Sequence, residues 1–329
     1  MADLISVVVP VYNVAADLPR CLESILSQTY PYIEIVAVND GSLDRSGNVL
    51  DNYAVKHSNI RVIHKENGGV TSARLRGVQE ASGAWIGFVD GDDEIEPTMY
   101  ERLITNALTH QADISHCGFQ MNFPDGRVSY LHNTGVLRLQ DNRTGLADLL
   151  DGTLVEPSLC NKLFRRELFA SVLDREGMLS DVKINEDLLM NFILFKESEK
   201  SVFEDVCPYH YLVRQGSATR RDLTVNRIYD PIRVKEQIIA LAPDTVRQEA
   251  RAAYLRTCIS TYNSIVLSGS RAWEKDRRLI RGYIVSHNQW TGTLSRKQAL
   301  LAGIIRFAPW AYRTLYGFYA AHILRSPYA

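Results

Sequence analysis

The sequence predicts an α/β fold: a mostly parallel sheet flanked by helices, followed by a helical C-terminal region. Short apolar runs alternate with helical segments over the first 110 residues, and this β-α alternation is typical of parallel sheets. From about Thr224 onward the apolar periodicity is helical throughout. The chain has 329 residues, 46% of them hydrophobic and 23% charged. This length and composition are typical of a globular protein with one large and one smaller unit.

Four buried strands and the helices between them are predicted first. The strands are Leu4–Val9, Ile33–Val38, Ile60–His64 and Ala84–Val89. The first helix carries apolar residues at helical spacing between Leu18 and Leu26, and Ser42 and Asp44 provide caps for the second. The third helix, Val70–Ala81, ends at Ser82-Gly83, and Thr98–Thr109 forms the fourth.

The pattern changes after Asp113. Here the expected elements are a hairpin (Asp113–Met121 with Arg127–Leu131), short helices (Leu146–Leu150 and Lys162–Phe169), a longer helix (Leu188–Phe195), strands (Val202–Val206 and Tyr209–Val213) and final helices that include Arg233–Ala242 and Thr245–Leu267. We therefore expect two domains, residues 1–220 and 221–329.

The cysteines and the first residues indicate a cytoplasmic location. The five cysteines are widely spaced and never form a CxxC pair, which favours a reducing compartment over a disulfide framework or a zinc site. The N-terminus lacks the basic and apolar regions of a signal peptide, and no apolar stretch has the length of a transmembrane helix.

Chemistry-bearing residues follow each predicted parallel strand. In chain order these are Pro10-Val11-Tyr12-Asn13, Asn39-Asp40-Gly41-Ser42, Lys65-Glu66-Asn67-Gly68-Gly69 followed by Ala73-Arg74, and Asp90-Gly91-Asp92-Asp93. Ligands of open α/β sheets bind at the carboxyl ends of the strands. Each segment alone is also compatible with ordinary turn chemistry, and the acidic cluster with a solvated helix start. Three carboxylates in four positions are also typical of a site for a hard cation shared with a phosphate.

Together, these four ordered motifs resemble glycosyltransferase family 2, the inverting glycosyltransferases of the GT-A fold. The resemblance covers roughly Leu4 to Thr219. It implies that Pro10, Tyr12, Asn13 and Asn67 belong to the donor nucleotide site, and that Asp40 contacts the uracil ring with Arg74 close by. One departure is Leu75, because the family usually has Asn after Ala-Arg.

The resemblance also assigns the acidic cluster. Asp90 would face the ribose and sugar, beside Gly91. Asp92 would bind Mg²⁺ or Mn²⁺ that bridges the donor diphosphate, and Asp93 would lie beside it as a supporting residue or a sugar contact.

A fifth motif, Asn185-Glu186-Asp187, resembles the segment that carries the family's catalytic base. An inverting transferase needs one carboxylate to deprotonate the acceptor hydroxyl. We expect Asp187 to be this base and Glu186 to be structural or acceptor-binding. Acidic residues that merely favour a helix N-terminus would occupy the same positions.

Three further residues match the family pattern near the donor, and His210 is a separate candidate. Lys162 would lie near the donor or acceptor, although a surface lysine fits equally well. Arg214 and Ser217 would reach the diphosphate, since a guanidinium suits phosphate. His210 would approach the metal, although a lone histidine is more often structural.

The sequence thus predicts an enzyme. It would transfer a hexose or N-acetylhexosamine from a UDP-sugar to a hydroxyl of a glycan or lipid-linked acceptor, with inversion, in surface polysaccharide or glycolipid synthesis. The alternative is a sugar-nucleotide-binding regulator or scaffold without catalysis. No nucleic-acid-binding module is recognised, so nucleic acid is not an expected partner.

The C-terminal segment is basic and amphipathic. From Arg271 to Ala329 it carries ten basic and two acidic residues, a net charge of +8. The stretch from Leu300 to Leu324 is rich in Trp, Tyr, Leu and Arg, the residue types of helices that lie in a membrane interface. Two roles stay open at this point: peripheral docking on an anionic inner membrane surface, or packing against the catalytic domain or a second copy of the chain.

Overall fold

The computed structural model describes residues 3–213 and 223–322, with side chains up to Phe318. The described residues form two compact units. The first, here called the sheet unit, contains residues 3–181 and 186–213. The second, here called the helical unit, contains residues 182–185 and 223–322.

Ten strands of the sheet unit make one mixed sheet, in the order β3-β2-β1-β4-β9-β6-β10-β5, with β7 paired to β6 and β8 to β10. They are β1 (Ile5–Val11), β2 (Ile33–Asp40), β3 (Ile60–Lys65), β4 (Trp85–Phe88), β5 (Glu94–Ile95), β6 (Ile114–Asn122), β7 (Val128–Tyr130), β8 (Leu137–Asp141), β9 (Lys162–Arg165) and β10 (Lys200–Leu212). Strand β1 is parallel to both β2 and β4, with Val8 opposite Val36 and Phe88. The ends of β1, β2, β3 and β4 therefore meet at one edge.

Eight helices of the sheet unit accompany this sheet: α1 (Leu18–Leu26), α2 (Ser46–Lys56), α3 (Val70–Glu80), α4 (Met99–His110), α5 (Asn142–Asp151), α6 (Ala170–Leu173), α7 (Glu176–Ser180) and α8 (Glu186–Glu197). Helix α3 packs directly against β1, because a Cβ at Gly77 would collide with the side chain of Val8. Every residue of β1 is buried, so this strand forms the centre of the core.

Two predicted elements differ from the structure. The helix expected at Lys162–Phe169 is wrong: Lys162–Arg165 is strand β9, antiparallel between β4 and β6, and a 3₁₀ turn follows at Arg166–Phe169. A short apolar run that is buried on both faces does not show whether it is helix or strand. The two strands expected at 202–206 and 209–213 are one strand, β10, with an irregularity between Glu204 and Tyr209.

The helical unit contains α9 (Val225–Leu241), α10 (Arg247–Ser268), α11 (Glu274–Ser286), α12 (Arg296–Phe307) and α13 (Pro309–His322), with short 3₁₀ turns at 244–246, 271–273 and 288–293. Its core is built around α10, where Tyr254, Cys258 and Tyr262 are at most 1% exposed. Residues 182–185 belong to this unit, and the Lys183 amide donates to Oδ2 of the buried Asp230. Among the described residues, no helix combines the length and apolar character that membrane crossing needs.

Candidate active site

The loop after β1 is tied to the loop after β2 by Asn13. Its backbone adopts a left-handed conformation with φ of 53°, which Asn tolerates better than most residues. The side-chain Oδ1 accepts from the amides of Leu43 (2.7 Å) and Asp44 (3.3 Å), and the Asn13 amide donates to Ser42 Oγ. Pro10 is buried at the end of β1, whereas the Tyr12 ring is 48% exposed. The resulting loop pair presents Tyr12 to solvent at the sheet edge.

Asp40 organises the loop between β3 and α3. The side chain is 2% exposed, and its oxygens accept from Lys65 Nζ (2.6 Å), the Gly68 amide (3.0 Å) and the Gly69 amide (2.8 Å). Asp40 and Lys65 are cross-strand partners, which explains the pairing. The exposed Asn67 donates from Nδ2 to the Asp40 carbonyl. A base contact from this carboxylate stays a prediction, and such a contact would share oxygens that the loop already uses.

The acidic cluster after β4 divides into carboxylates with different surroundings. Asp93 is 2% exposed, and its two oxygens accept from Tyr209 Oη (2.7 Å) and the Leu212 amide (2.9 Å). Burial and the nearby charge of Asp90 raise the pKa of Asp93 to about 7, although these two hydrogen bonds lower it. Asp90 and Asp92 are partly exposed, and Gly91 between them is buried. Two groups of β10 therefore fix the Asp93 carboxyl, and its role as a supporting residue or a sugar contact stays a prediction.

Arg74 joins the acidic cluster to the fifth motif. Its side chain on α3 is 4% exposed, and one guanidinium nitrogen lies 3.0 Å from Asp90 Oδ1. The other terminal nitrogen lies 2.5 Å from Asp187 Oδ1 and 3.7 Å from Glu186 Oε1. One buried cation thus holds a carboxylate from the end of β4 and a carboxylate from the start of α8. Its Nε has no hydrogen-bond partner among the described residues.

Glu186 and Asp187 open α8 with unequal environments. Burial and the adjacent Asp187 charge raise the pKa of Glu186 to about 8, although Arg74 opposes this effect. The Glu186 side chain is 13% exposed and the Asp187 side chain 27%. Asp187, paired with the Arg74 guanidinium, is therefore the more accessible of the two carboxyl groups.

The residues predicted to bind the metal, Asp92 and His210, do not form a site in which protein side chains supply all the ligands. Among the described residues, no three His, Cys, Asp or Glu side chains are arranged to hold a metal ion. His210 lies between Glu94 (3.5 Å) and Glu96 (3.3 Å), and the backbone carbonyl of Asp92 accepts from Arg20. Mg²⁺ in phosphate-binding sites typically takes only one or two carboxylates plus substrate oxygens. Asp92, partly exposed in this cluster, fits that donor set, and the carboxylates around His210 give it a structural alternative.

Lys162 is not the surface lysine that the sequence left open, and its place near the donor or acceptor stays a prediction. The side chain is fully buried, and Nζ donates to the carbonyls of Glu156 (2.7 Å) and Ser158 (2.5 Å) and to Asn161 Oδ1 (2.9 Å). Burial lowers its pKa to about 8, although Glu156 opposes this effect. Its hydrogen bonds satisfy loop carbonyls, so we assign it to holding the 156–158 loop. The predicted diphosphate contacts Arg214 and Ser217 lie outside the described residues.

Two residues to which the sequence analysis gave no role support this edge. Tyr209 Oη donates to Asp93 and accepts from the Asp90 amide (3.3 Å), and Lys65 pairs with Asp40. The sequence placed Tyr209 at the start of an expected strand, Tyr209–Val213, but gave no sign of its partner. Lys65 directly precedes Glu66-Asn67 in the third motif, and that position was the only available signal.

Comparison with known proteins decides the family. The model of the family described as Glycosyl transferase family 2 matches residues 6–173, about half of the chain. The chain belongs to glycosyl transferase family 2. This membership confirms the family predicted from the four motifs and places the chain among transferase enzymes.

The family-2 chain resembles several curated proteins and solved structures. It is 38% identical to the uncharacterized glycosyltransferase EpsJ of Bacillus subtilis over 67% of this chain and 64% of EpsJ. It is 29% identical to the minor teichoic acid biosynthesis protein GgaB of Bacillus subtilis, over 68% of this chain and 24% of GgaB. The chain therefore spans less than two thirds of these relatives.

The fold is also that of a solved structure. The crystal structure of S. aureus TarS 1–349 in complex with UDP-GlcNAc superposes with a TM-score of 0.75 at 19% identity, covering 97% of this chain and 91% of that one. The predicted GT-A fold with a helical C-terminal region is confirmed by this likeness.

Proposed function

We propose that this chain is an inverting glycosyltransferase that moves a sugar from a UDP-sugar to a hydroxyl of a glycan or lipid-linked acceptor. The observation that carries the proposal is the shared guanidinium of Arg74. It brings Asp90, at the donor edge of the sheet, and Asp187, at the start of α8, to one place. A single-displacement transferase needs the donor-side and acceptor-side groups within one substrate's length of each other.

On the acceptor side, Asp187 takes the proton of the attacking hydroxyl as that oxygen bonds to the anomeric carbon. The buried Arg74 guanidinium holds the carboxylate in a fixed orientation. The bond from the anomeric carbon to the UDP oxygen breaks in the same displacement. The configuration at that carbon is therefore inverted.

On the donor side, the loops after β1, β2 and β3 present Tyr12, Asn13 and Asn67 to the nucleotide. Asp90 would hold the ribose or sugar hydroxyls, while Arg74 orients it. Asp92 would hold Mg²⁺ or Mn²⁺ against the diphosphate, where a divalent cation neutralises the charge that develops on the leaving group. Asp93, braced by Tyr209, keeps the cluster's backbone in place.

The donor sugar and the biosynthetic pathway are proposed from two of the similar proteins. The UDP-GlcNAc complex of TarS makes N-acetylglucosamine the first donor to test. The teichoic acid relative GgaB supports a role in building surface polysaccharide. We keep a cytoplasmic location in the proposal because all five cysteines are free and buried, as expected in a reducing compartment.

The test is a UDP-release screen across UDP-sugars with Mn²⁺, with and without glycan and lipid-linked acceptors. The proposal expects acceptor-dependent UDP release with at least one donor and a product of inverted configuration. Tight UDP-sugar binding without release for any pair would instead favour the non-catalytic regulator or scaffold.

A further inference from the structure

The α12–α13 pair at the end of the helical unit has one packed side. Ala302, Ile305 and Tyr312 are at most 2% exposed and belong to the core built around α10. Tyr312 Oη donates to Asn263 Oδ1 at 2.6 Å, and the Arg281 guanidinium donates to the carbonyls of Ile305 and Arg306 at the end of α12. The two helices are therefore a fixed part of the helical unit. Packing against its core buries only this inner side of the pair.

The outer side exposes large apolar side chains. Leu300, Phe307, Trp310, Leu315 and Phe318 are 62–76% exposed. Leu300 and Phe307 are seven residues apart on α12, and Trp310 and Phe318 are eight apart on α13, so each pair shares one face of its helix. Single exposed apolar residues are ordinary, but a group of this size marks an interaction surface.

The positive charge of this segment favours an anionic binding partner. Residues 287–329 contain five Lys or Arg and no Asp or Glu. Arg296, Lys297 and Arg313 are exposed, and the Arg306 guanidinium lies 4.6 Å from the centre of the Phe307 ring. A second copy of the chain would bring the same positive charge to the contact. Aromatic and leucine side chains flanked by basic residues are the composition of membrane-interface helices.

A cleft beside α13 adds further guanidinium groups. It is lined by Ser270, Arg271, Trp273, Glu274, Arg277 and Arg313. Glu274 is engaged by Arg277 and Arg278, so the acidic residue of the cleft is already neutralised. Arg271 and Arg313 make no ion pair within the described part of the chain. Guanidinium groups bind phosphate oxygens in a bidentate manner, as a lipid headgroup would require.

We propose that the outer face of α12–α13 docks on an anionic membrane surface. Leu300, Phe307 and Trp310 enter the boundary between headgroups and acyl chains, and Arg296, Lys297 and Arg313 bind lipid phosphates. The proposal concerns where the protein lies rather than the reaction it performs. The vesicle-binding test and the UDP-release test can therefore give a positive or a negative result independently of each other.

Vesicle flotation of the full chain tests the proposal. Vesicles of phosphatidylcholine alone are compared with vesicles that contain 30% phosphatidylglycerol, at low salt and at 0.5 M NaCl. We expect at least tenfold stronger binding to the anionic vesicles and loss of most of it at high salt, because exposed ionic attraction is screened.

Matched variants distinguish binding through this face from non-specific binding through other exposed apolar residues. Phe307→Ser with Trp310→Ser should weaken vesicle binding at least tenfold. Replacing Arg296, Lys297 and Arg313 by Gln should weaken it about 100-fold, at about fivefold per basic side chain. The control is Val55→Ser with Leu108→Ser, two exposed apolar residues of the sheet unit that are 88% and 52% exposed, and it should bind like wild type.

Two results would overturn the proposal. One is binding to anionic vesicles no stronger than to neutral ones. The other is equal loss in the control and the Phe307/Trp310 variant. Light scattering after size exclusion gives a third check: a dimer that the Phe307/Trp310 variant converts to monomer, together with no vesicle binding, would assign this face to self-association instead. A far-UV circular dichroism spectrum and a urea-unfolding midpoint like those of wild type verify the folding of each variant.

Discussion

Arg74→Met should cost far more stability than the loss of an ordinary surface arginine. The guanidinium is buried and lies 2.5 Å from Asp187, 3.0 Å from Asp90 and 3.7 Å from Glu186. The variant leaves these carboxylates together without their cation. Removing one partner of a buried ionic group typically costs about 3–5 kcal/mol. We therefore expect the free energy of unfolding to fall by about that amount.

Arg76→Met is the matched control, two residues along the same helix. Arg76 is 47% exposed and pairs with Glu80 at 2.6 Å, four residues away, and such pairs contribute about 0.3–0.5 kcal/mol. Urea unfolding followed by far-UV circular dichroism measures both variants. Arg74→Lys should lie between them, because one ammonium keeps the charge but lacks the fork that reaches Asp90 and Asp187 together.

A double-mutant cycle with Asp187→Asn separates electrostatics from packing. Removing one stranded carboxylate should recover at least about 1 kcal/mol of the Arg74→Met loss, since contacting charges are non-additive. The reasoning is refuted if Arg74→Met loses no more stability than Arg76→Met, or if the cycle is additive.

Three further predictions follow from the same site. Glu186→Gln should raise the melting temperature by at least about 2 °C more at pH 9 than at pH 5, as measured by calorimetry. Because the pKa of Glu186 is raised, only the folded chain keeps this proton between about pH 4.5 and pH 8, so the wild-type carboxyl lowers stability as pH rises through that window. An equal change of the melting temperature at both pH values would contradict this reasoning. Tyr209→Phe should cost about 1–3 kcal/mol in urea unfolding because it strips the buried Asp93 of a donor, whereas Tyr211→Phe on the same strand should be near neutral; equal losses would remove the bracing role. Asp92→Ala should abolish the Mn²⁺ dependence of UDP binding in calorimetric titration, and an unchanged metal titration would exclude Asp92 as the ligand.

Much of the sheet edge that carries the candidate site could be predicted from sequence, because each of its strands and loops is formed by a short continuous segment. The strands that end at Val11, Asp40 and Phe88 follow from apolar runs, and parallel pairing then brings the motifs after them to one edge. The cap expected at Ser42 is wrong: α2 has Arg45 as its N-cap without a side-chain cap, and Ser42 Oγ instead accepts from the Asn13 amide.

The parts that sequence did not predict depend on contacts between distant segments. Arg74 and Asp187 are 113 residues apart, and the Tyr209–Asp93 bond spans 116, so no local pattern indicates either pair. The burial of Lys162 was also not predicted, because the family pattern gives its position and not its surroundings. A lysine is almost never fully buried unless its ammonium is satisfied, and here loop carbonyls and Asn161 supply the acceptors.

The most direct test of the division between donor and acceptor groups is turnover by Asp187→Asn with the best donor and acceptor from the UDP-release screen, alongside UDP titration. The account predicts that kcat falls by about 10²–10⁴, the usual contribution of a general base, while the Kd for UDP changes by less than about threefold. Turnover at the wild-type rate, or a loss of UDP binding as large as the loss of kcat, would contradict the assignment of Asp187 as the base.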